Sequence, residues 1–129
     1  MKTITLLTML FLHIVDDYYL QGVLAKLKQK KFWQDNAPDK LYRYDWLIAL
    51  IEHAFSWTFM IMLPITYFIV QNSQYANITI YMIVFILNVI IHAITDNLKC
   101  NKFKINLVID QVIHITQVVI TWICMSCYM

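Results

Sequence analysis

Residues 78–98 read ITIYMIVFILNVIIHAITDNL, and this stretch decides the fold. It matches the roughly 20 residues a helix needs to cross a bilayer, and its only charge is Asp96. Backbone groups in lipid must be bonded within their own segment, so a helix is expected and an open strand is not. Asn88, His92 and Asp96 recur at every fourth residue, which places them on one helix face. A membrane helix with a single polar seam needs other polar seams to bury it.

The rest of the chain supplies them. Spans are also expected at about residues 3–25, 46–70 and 106–127, giving an all-α, four-helix transmembrane bundle in a single domain. Of the 129 residues, 60% are hydrophobic and 14% are charged. A soluble domain has about half and about a quarter, so that class is excluded. Pro64 predicts a kink in the second span. The start of the chain has the charge and apolar core of a secretory signal, but Asp16 and Asp17 stand where a cleavage site would be, so the segment is expected to stay. The three cysteines make no disulfide framework, and Cys124 and Cys127 read as small apolar residues of a membrane helix. Asn77-Ile78-Thr79 matches a glycosylation sequon but abuts a span, and is read as chance.

Charge placement gives the orientation. Lys26, Lys28, Lys30, Lys31, Lys40 and Arg43 lie between the first two spans, and Lys99, Lys102 and Lys104 between the last two. The middle loop, QNSQYAN, has no charge. The positive-inside rule puts the basic loops in the cytoplasm and both termini on the outer side. The loop of residues 26–45 is too polar to span. It is expected to lie at the inner surface with Phe32, Trp33, Tyr42 and Tyr44 at headgroup level, its lysines facing anionic lipid headgroups. The expected partner is the lipid bilayer, with no nucleic acid.

Each span holds one of the four histidines, His13, His53, His92 and His114. Asp17 follows His13 by four residues, Asp96 follows His92 by four, and Asp110 precedes His114 by four. At 1.5 Å per residue, Asp17, His53, His92 and His114 fall roughly 10 Å inside the boundary on the basic side. The reversed order in the fourth span is what an antiparallel neighbour needs to hold its groups level. Imidazole and carboxylate are ligands for zinc, with manganese or iron also compatible. The expected metal set is His13, Asp17, His53, His92, Asp96, Asp110 and His114, holding one or two divalent ions. A carboxylate in lipid costs at least about 2.5–3.5 kcal/mol, which a cation offsets. Asp16 and Glu52 sit on adjacent faces as candidate general bases. Gln21 and Asn88 extend the seams as partners of the ligands or of a substrate.

Three blocks resemble one family. HIVDDYYLQ is similar to HxxxDxxLQ, HAITDNLK to HxxxDxxK, and VIDQVIH to DQxxH, with the histidine of IEHAF between the first two. These are motifs of small bacterial and phage integral membrane proteins grouped as domain of unknown function 3307. The resemblance covers nearly the whole chain in order. It implies functional roles for His13, Asp17, Gln21, His53, His92, Asp96, Lys99, Asp110, Gln111 and His114. Asp16 is an addition here. It also implies a multi-pass protein of the bacterial cytoplasmic membrane, or of a host membrane if phage-encoded, and supplies no activity. A more distant likeness is to membrane-bound metal-dependent hydrolases with His and Asp on membrane helices.

The function expected from these residues is metal-dependent hydrolysis of a lipid or lipid-linked phosphoester at the cytoplasmic leaflet. The alternatives are a proton or metal transporter, and a phage-encoded holin or membrane interaction protein whose polar residues only join helices.

Overall fold

The computed structural model describes residues 2–71 and 78–127, and every regular element among them is helical. The first span is α1 (Lys2–Ile14), continued by a π-helical turn over Val15–Leu20. Two short helices follow, α2 (Leu24–Leu27) and α3 (Lys30–Asn36), with a tight helical turn at Lys40–Tyr42. The long spans are α4 (Asp45–Gln71), α5 (Ile78–Cys100) and α6 (Leu107–Ser126). With the first span they make four helices long and apolar enough to cross a membrane. Most of the middle loop, with Asn77 of the sequon, lies outside the described residues.

Three of the spans match the expected bounds closely, and the first departs from them. Its α-helical hydrogen bonding stops at Ile14, and the widened turn that follows closes with Gln21 N–H donating to Asp16 O at 2.9 Å. The chain then breaks at Gly22, the only glycine, whose φ of +47° lies in the left-handed region. The continuous helix expected to residue 25 is therefore cut at Leu20. α4 runs on through Pro64, which has no N–H to offer the carbonyl of Met60. α6 starts where Asn106 caps it, its Oδ1 accepting from Ile109 N–H at 2.9 Å.

The spans form a ring in chain order, α1 beside α4, α4 beside α5, α5 beside α6, and α6 closing on α1. Cross-links fix neighbours as antiparallel. Lys2 Nζ donates to Ser126 O at 2.8 Å, and Trp122 Nε1 to Lys2 O at 3.0 Å. Those bonds put the beginning of α1 and the end of α6 together at the end of the bundle opposite the basic loops.

The bundle is polar inside and apolar outside. Among the described residues the buried set holds 13 polar or charged side chains against 11 apolar ones, while Phe11, Phe55, Ile83, Ile90 and Ile94 are exposed. That inversion suits lipid as the outer solvent, since apolar surface there costs nothing to leave uncovered. The interior is also divided along its length. Met9, Trp57, Ile61, Met62, Ile65, Ile69, Val118 and Met125 pack as an apolar core toward the terminal end. The polar groups gather toward the basic loops. Cys124 and Cys127 are free and exposed, as membrane-facing residues.

The loop segment closes the polar end. Lys30 N–H donates to Asn101 Oδ1 at 2.8 Å and Asn101 Nδ2 to Lys28 O at 3.1 Å. Trp33 Nε1 donates to Leu27 O at 2.6 Å. Gly22 is the hinge that lets α2 turn under the bundle. A Cβ added there would meet nothing nearer than Leu20 O at 3.5 Å, so the cost of Gly22→Ala is one of backbone conformation. We expect it to destabilise the protein by about 1 kcal/mol, with Gly22→Asn milder. Reversible unfolding in mixed detergent measures this, and an unchanged midpoint for Gly22→Ala would show that the left-handed turn is not required.

Candidate metal centre

The π turn decides how the first span meets the second. It presents consecutive carboxylates to the two sides of one imidazole. Asp16 Oδ2 lies 3.7 Å from His53 Nδ1, and Asp17 Oδ1 lies 3.5 Å from His53 Nε2. Asp16 is held in turn by Ser56 Oγ, which donates to its Oδ1 at 2.7 Å. At 3.7 Å the Asp16 carboxylate is beyond hydrogen-bond range of Nδ1 and acts on the ring as a neighbouring charge.

Around His53 the other seams converge. His53 Nε2 and His92 Nε2 are 3.2 Å apart. Asp96 Oδ2 lies 3.4 Å from His53 Nε2 and 3.8 Å from His92 Nε2. Asp96 Oδ1 lies 3.5 Å from His114 Nε2, as does Asp110 Oδ1. Two overlapping ligand groups result, Asp17 with His53 and His92, and His92 with Asp96 and His114. Either could hold a metal ion, and they share His92 and adjoin through Asp96.

The separations discriminate between adhesion and coordination. A hydrogen bond to oxygen from nitrogen spans about 2.7–3.2 Å. Ligand bonds of about 2.0–2.2 Å to a tetrahedral ion set neighbouring ligand atoms roughly 3.3–3.6 Å apart. The imidazole–carboxylate distances in the cluster, 3.4–3.8 Å, lie outside the first range and close to the second. His92 Nδ1, both ring nitrogens of His114, Asp16 Oδ2 and Asp110 Oδ1 are buried without a hydrogen-bond partner. Buried polar atoms of native proteins are nearly always satisfied, so this concentration needs an explanation, and the donor set fits a divalent ion.

Charge is unbalanced in the same sense. Asp16, Asp17, Asp96 and Asp110 are four carboxylates in the polar interior. Two ammonium groups answer them. Lys28 Nζ is 2.5 Å from Asp96 Oδ2, and Lys99 Nζ is 2.6 Å from Asp110 Oδ2. Asp16 and Asp17 have no ammonium partner, and positive charge on an imidazole or on a bound cation can answer them.

The expected residues do not all play one part. Asp17, His53, His92, Asp96 and His114 come together in the ligand groups. His13 stands at the edge of the cluster, its Nδ1 3.7 Å from Asp17 Oδ2 and its ring centroid 6.1 Å from that of His114. Its Nδ1 accepts from Trp57 Nε1 at 2.8 Å, so in the neutral ring the proton is on Nε2 and that nitrogen has no lone pair for a metal. Asp110 stands at the edge, paired with Lys99 and bonded by Gln111 Nε2 at 3.1 Å. Gln111 also reaches Asp17 Oδ2 at 3.2 Å. Gln21 Nε2 lies 3.1 Å from His53 Nε2, and a half-turn of the amide presents Oε1 there instead. Asn88 is not at the cluster. It bonds Thr121 Oγ1 and accepts from Gln117, one turn toward the apolar core. Glu52 is exposed on the outer face of α4, turned away from its neighbour His53, and is not brought to the site.

Two residues that sequence reasoning passed over belong to the site. Trp57 is buried, stacks on His92 at 4.2 Å between centroids and holds His13. Its signal was its position, four residues after His53 and so on the same face. Lys28 is buried to 6% exposure and its ammonium enters the cluster, although nothing in the run KLKQKK sets it apart from its neighbours.

A groove of about 680 Å³ lies between the first span and α6, beside the site. Its walls include Leu10, Ile14, Tyr18, Tyr19 and Ile115, and His13 and Gln111 form its inner end. The opening is lateral, through a surface of exposed apolar residues.

Comparison with protein-family models, curated proteins and solved structures found no match to this chain.

The Lys28–Asp96 pair is buried, so removing one partner strands a charge. Lys28→Met alone is expected to cost about 3–5 kcal/mol. The double variant Lys28→Met with Asp96→Leu should lose less than the two singles summed, with a coupling of roughly 1–3 kcal/mol. A double-mutant cycle on unfolding free energy measures it, and additive losses would mean the pair is not coupled.

Proposed function

We propose that the protein is an integral membrane metal-dependent hydrolase that acts on a lipid or lipid-linked phosphoester. The observation that carries this reading is the set of imidazole and carboxylate atoms from separate helices at 3.2–3.5 Å, too far apart for most to be hydrogen-bonded and spaced as ligands of a cation. Asp16 and Asp17, which lack an ammonium partner, favour a divalent ion, with zinc first among the candidates given the nitrogen and oxygen donors. Asp17, His53, His92 and Asp96 are the ligands in this reading, and Asp16 acts on His53 as a neighbouring charge.

Such an ion supplies Lewis-acid polarisation of a phosphoryl oxygen and acidifies water. The protein supplies the rest. Water adds to phosphorus and the ester P–O bond breaks, releasing an alcohol. Asp110 Oδ1, buried and unpartnered beside His114, is placed to take the proton from water. Lys28 and Lys99 are the cations available to the phosphate oxygens. The lateral groove ending at His13 and Gln111 favours a substrate that arrives within the bilayer. With the basic loops in the cytoplasm, that is the inner leaflet.

Conduction is the weaker reading, because the polar cluster gives way to the apolar core of Trp57, Ile61, Met62, Ile65 and Met125 before the terminal end. Helix adhesion alone would place the facing atoms of the cluster in hydrogen bonds, and His114 Nε2 and Asp110 Oδ1 have none.

Elemental analysis of the detergent-purified chain tests the proposal. One divalent ion per chain is expected, retained in Glu52→Gln and lost in His92→Ala. Asp16→Asn should keep the site but weaken metal affinity roughly 10–100-fold. Phosphate or alcohol release from phospholipid substrates in mixed micelles should require the metal and disappear in Asp17→Asn. A metal-free wild type after purification without chelators, and after incubation with zinc, manganese or iron, would overturn the reading.

A further inference from the structure

The loop segment between the first two spans builds a cavity of its own. Its volume is about 530 Å³, within the roughly 300–1,000 Å³ usual for small-molecule sites. Lys30, Trp33, Lys40, Tyr42, Arg43 and Trp46 are among its lining residues. None of this belongs to the His/Asp cluster.

The cavity has three cations and one carboxylate, Asp39. Asp39 is engaged locally, its Oδ1 accepting from Leu41 N–H at 2.8 Å. Among the described residues no carboxylate lies within ion-pair distance of Lys30, Lys40 or Arg43. Aromatic rings hold the shape in place of ion pairs. Trp33 and Tyr42 stack with planes 17° apart, Lys30 Nζ sits 4.2 Å above Trp46, and Arg43 packs on Tyr44 at 5.4 Å. Paired tryptophan and tyrosine rings beside basic side chains are the composition of the lipid–water interface. A guanidinium offers a phosphate two parallel N–H donors, and lysines add point charge.

We propose that this cavity binds the phosphate headgroup of an anionic phospholipid, with the glycerol against Trp33 and Trp46. The position is fixed relative to the bundle because Lys30 N–H is bonded to Asn101, and Lys28, two residues earlier, enters the cluster. The proposal does not depend on the cluster's holding a metal.

The test is a fluorescence titration of the full detergent-purified chain, since two of its four tryptophans line the cavity. Dihexanoyl phosphatidic acid should change the emission saturably, and dihexanoyl phosphatidylcholine should bind at least roughly tenfold more weakly. Raising salt should weaken the response. The exposed pair Lys40→Gln and Arg43→Gln should cost at least about tenfold in affinity with helical circular dichroism and metal content unchanged. An equal response to the two lipids, no loss in the double variant, or an equal response to glycerol phosphate would each overturn the assignment. Metal content separates this outcome from the fate of the hydrolase reading. If the double variant fails to fold, the wild-type contrast between the two lipids decides.

Discussion

A carboxylate in an apolar phase has to be answered by positive charge, and the interior of this bundle is organised around that constraint. Asp16, Asp17, Asp96 and Asp110 project into a space walled by membrane helices. Each would be costly alone. Lys28 and Lys99 answer two of the four charges by direct contact. The imidazoles stand among the carboxylates at 3.4–3.8 Å, in groups that could hold a metal ion. The same constraint accounts for the conformation of the loop segment. Lys28 can reach Asp96 only if α2 folds back under the bundle, and Gly22 allows that turn.

The polar interior also explains the apolar half. An aqueous path through the bundle would let the charges hydrate, and none would then need a fixed partner. Trp57 closes that direction, stacking on His92 with one face and donating to His13 through its indole N–H. Beyond it lie Ile61, Met62 and Ile65. The cluster is thus walled from the terminal side, and a groove between the first span and α6 runs beside it. His13 becomes part of that wall, with its Nδ1 committed to tryptophan.

Much of this was legible in the residues. The four spans follow from apolar length, and the convergence of four seams follows from the HxxxD spacing and its reversal at Asp110 and His114. What escaped was set by tertiary geometry. The π turn has no signature in VDDYYL, since it depends on Gln21 bonding back to Asp16 and on His53 lying between two adjacent carboxylates. Lys28 is one of several lysines in its run, and only the fold of α2 selects it. Glu52 was misjudged for the opposite reason, because adjacency to His53 in sequence places it about 100° around the helix and into the outer surface. The division of labour between His13 and the other histidines required Trp57, whose place one turn from His53 was visible but whose hydrogen bond was not.

The central claim is that nitrogen and oxygen atoms from different spans share one cation. X-ray absorption at the metal edge of the purified, zinc-loaded chain tests it most directly. The account predicts four nitrogen or oxygen ligands at about 2.0–2.1 Å, multiple scattering from two imidazole rings, and no sulfur. A shell containing sulfur, a six-oxygen shell without imidazole, or no stoichiometric zinc to observe would contradict it.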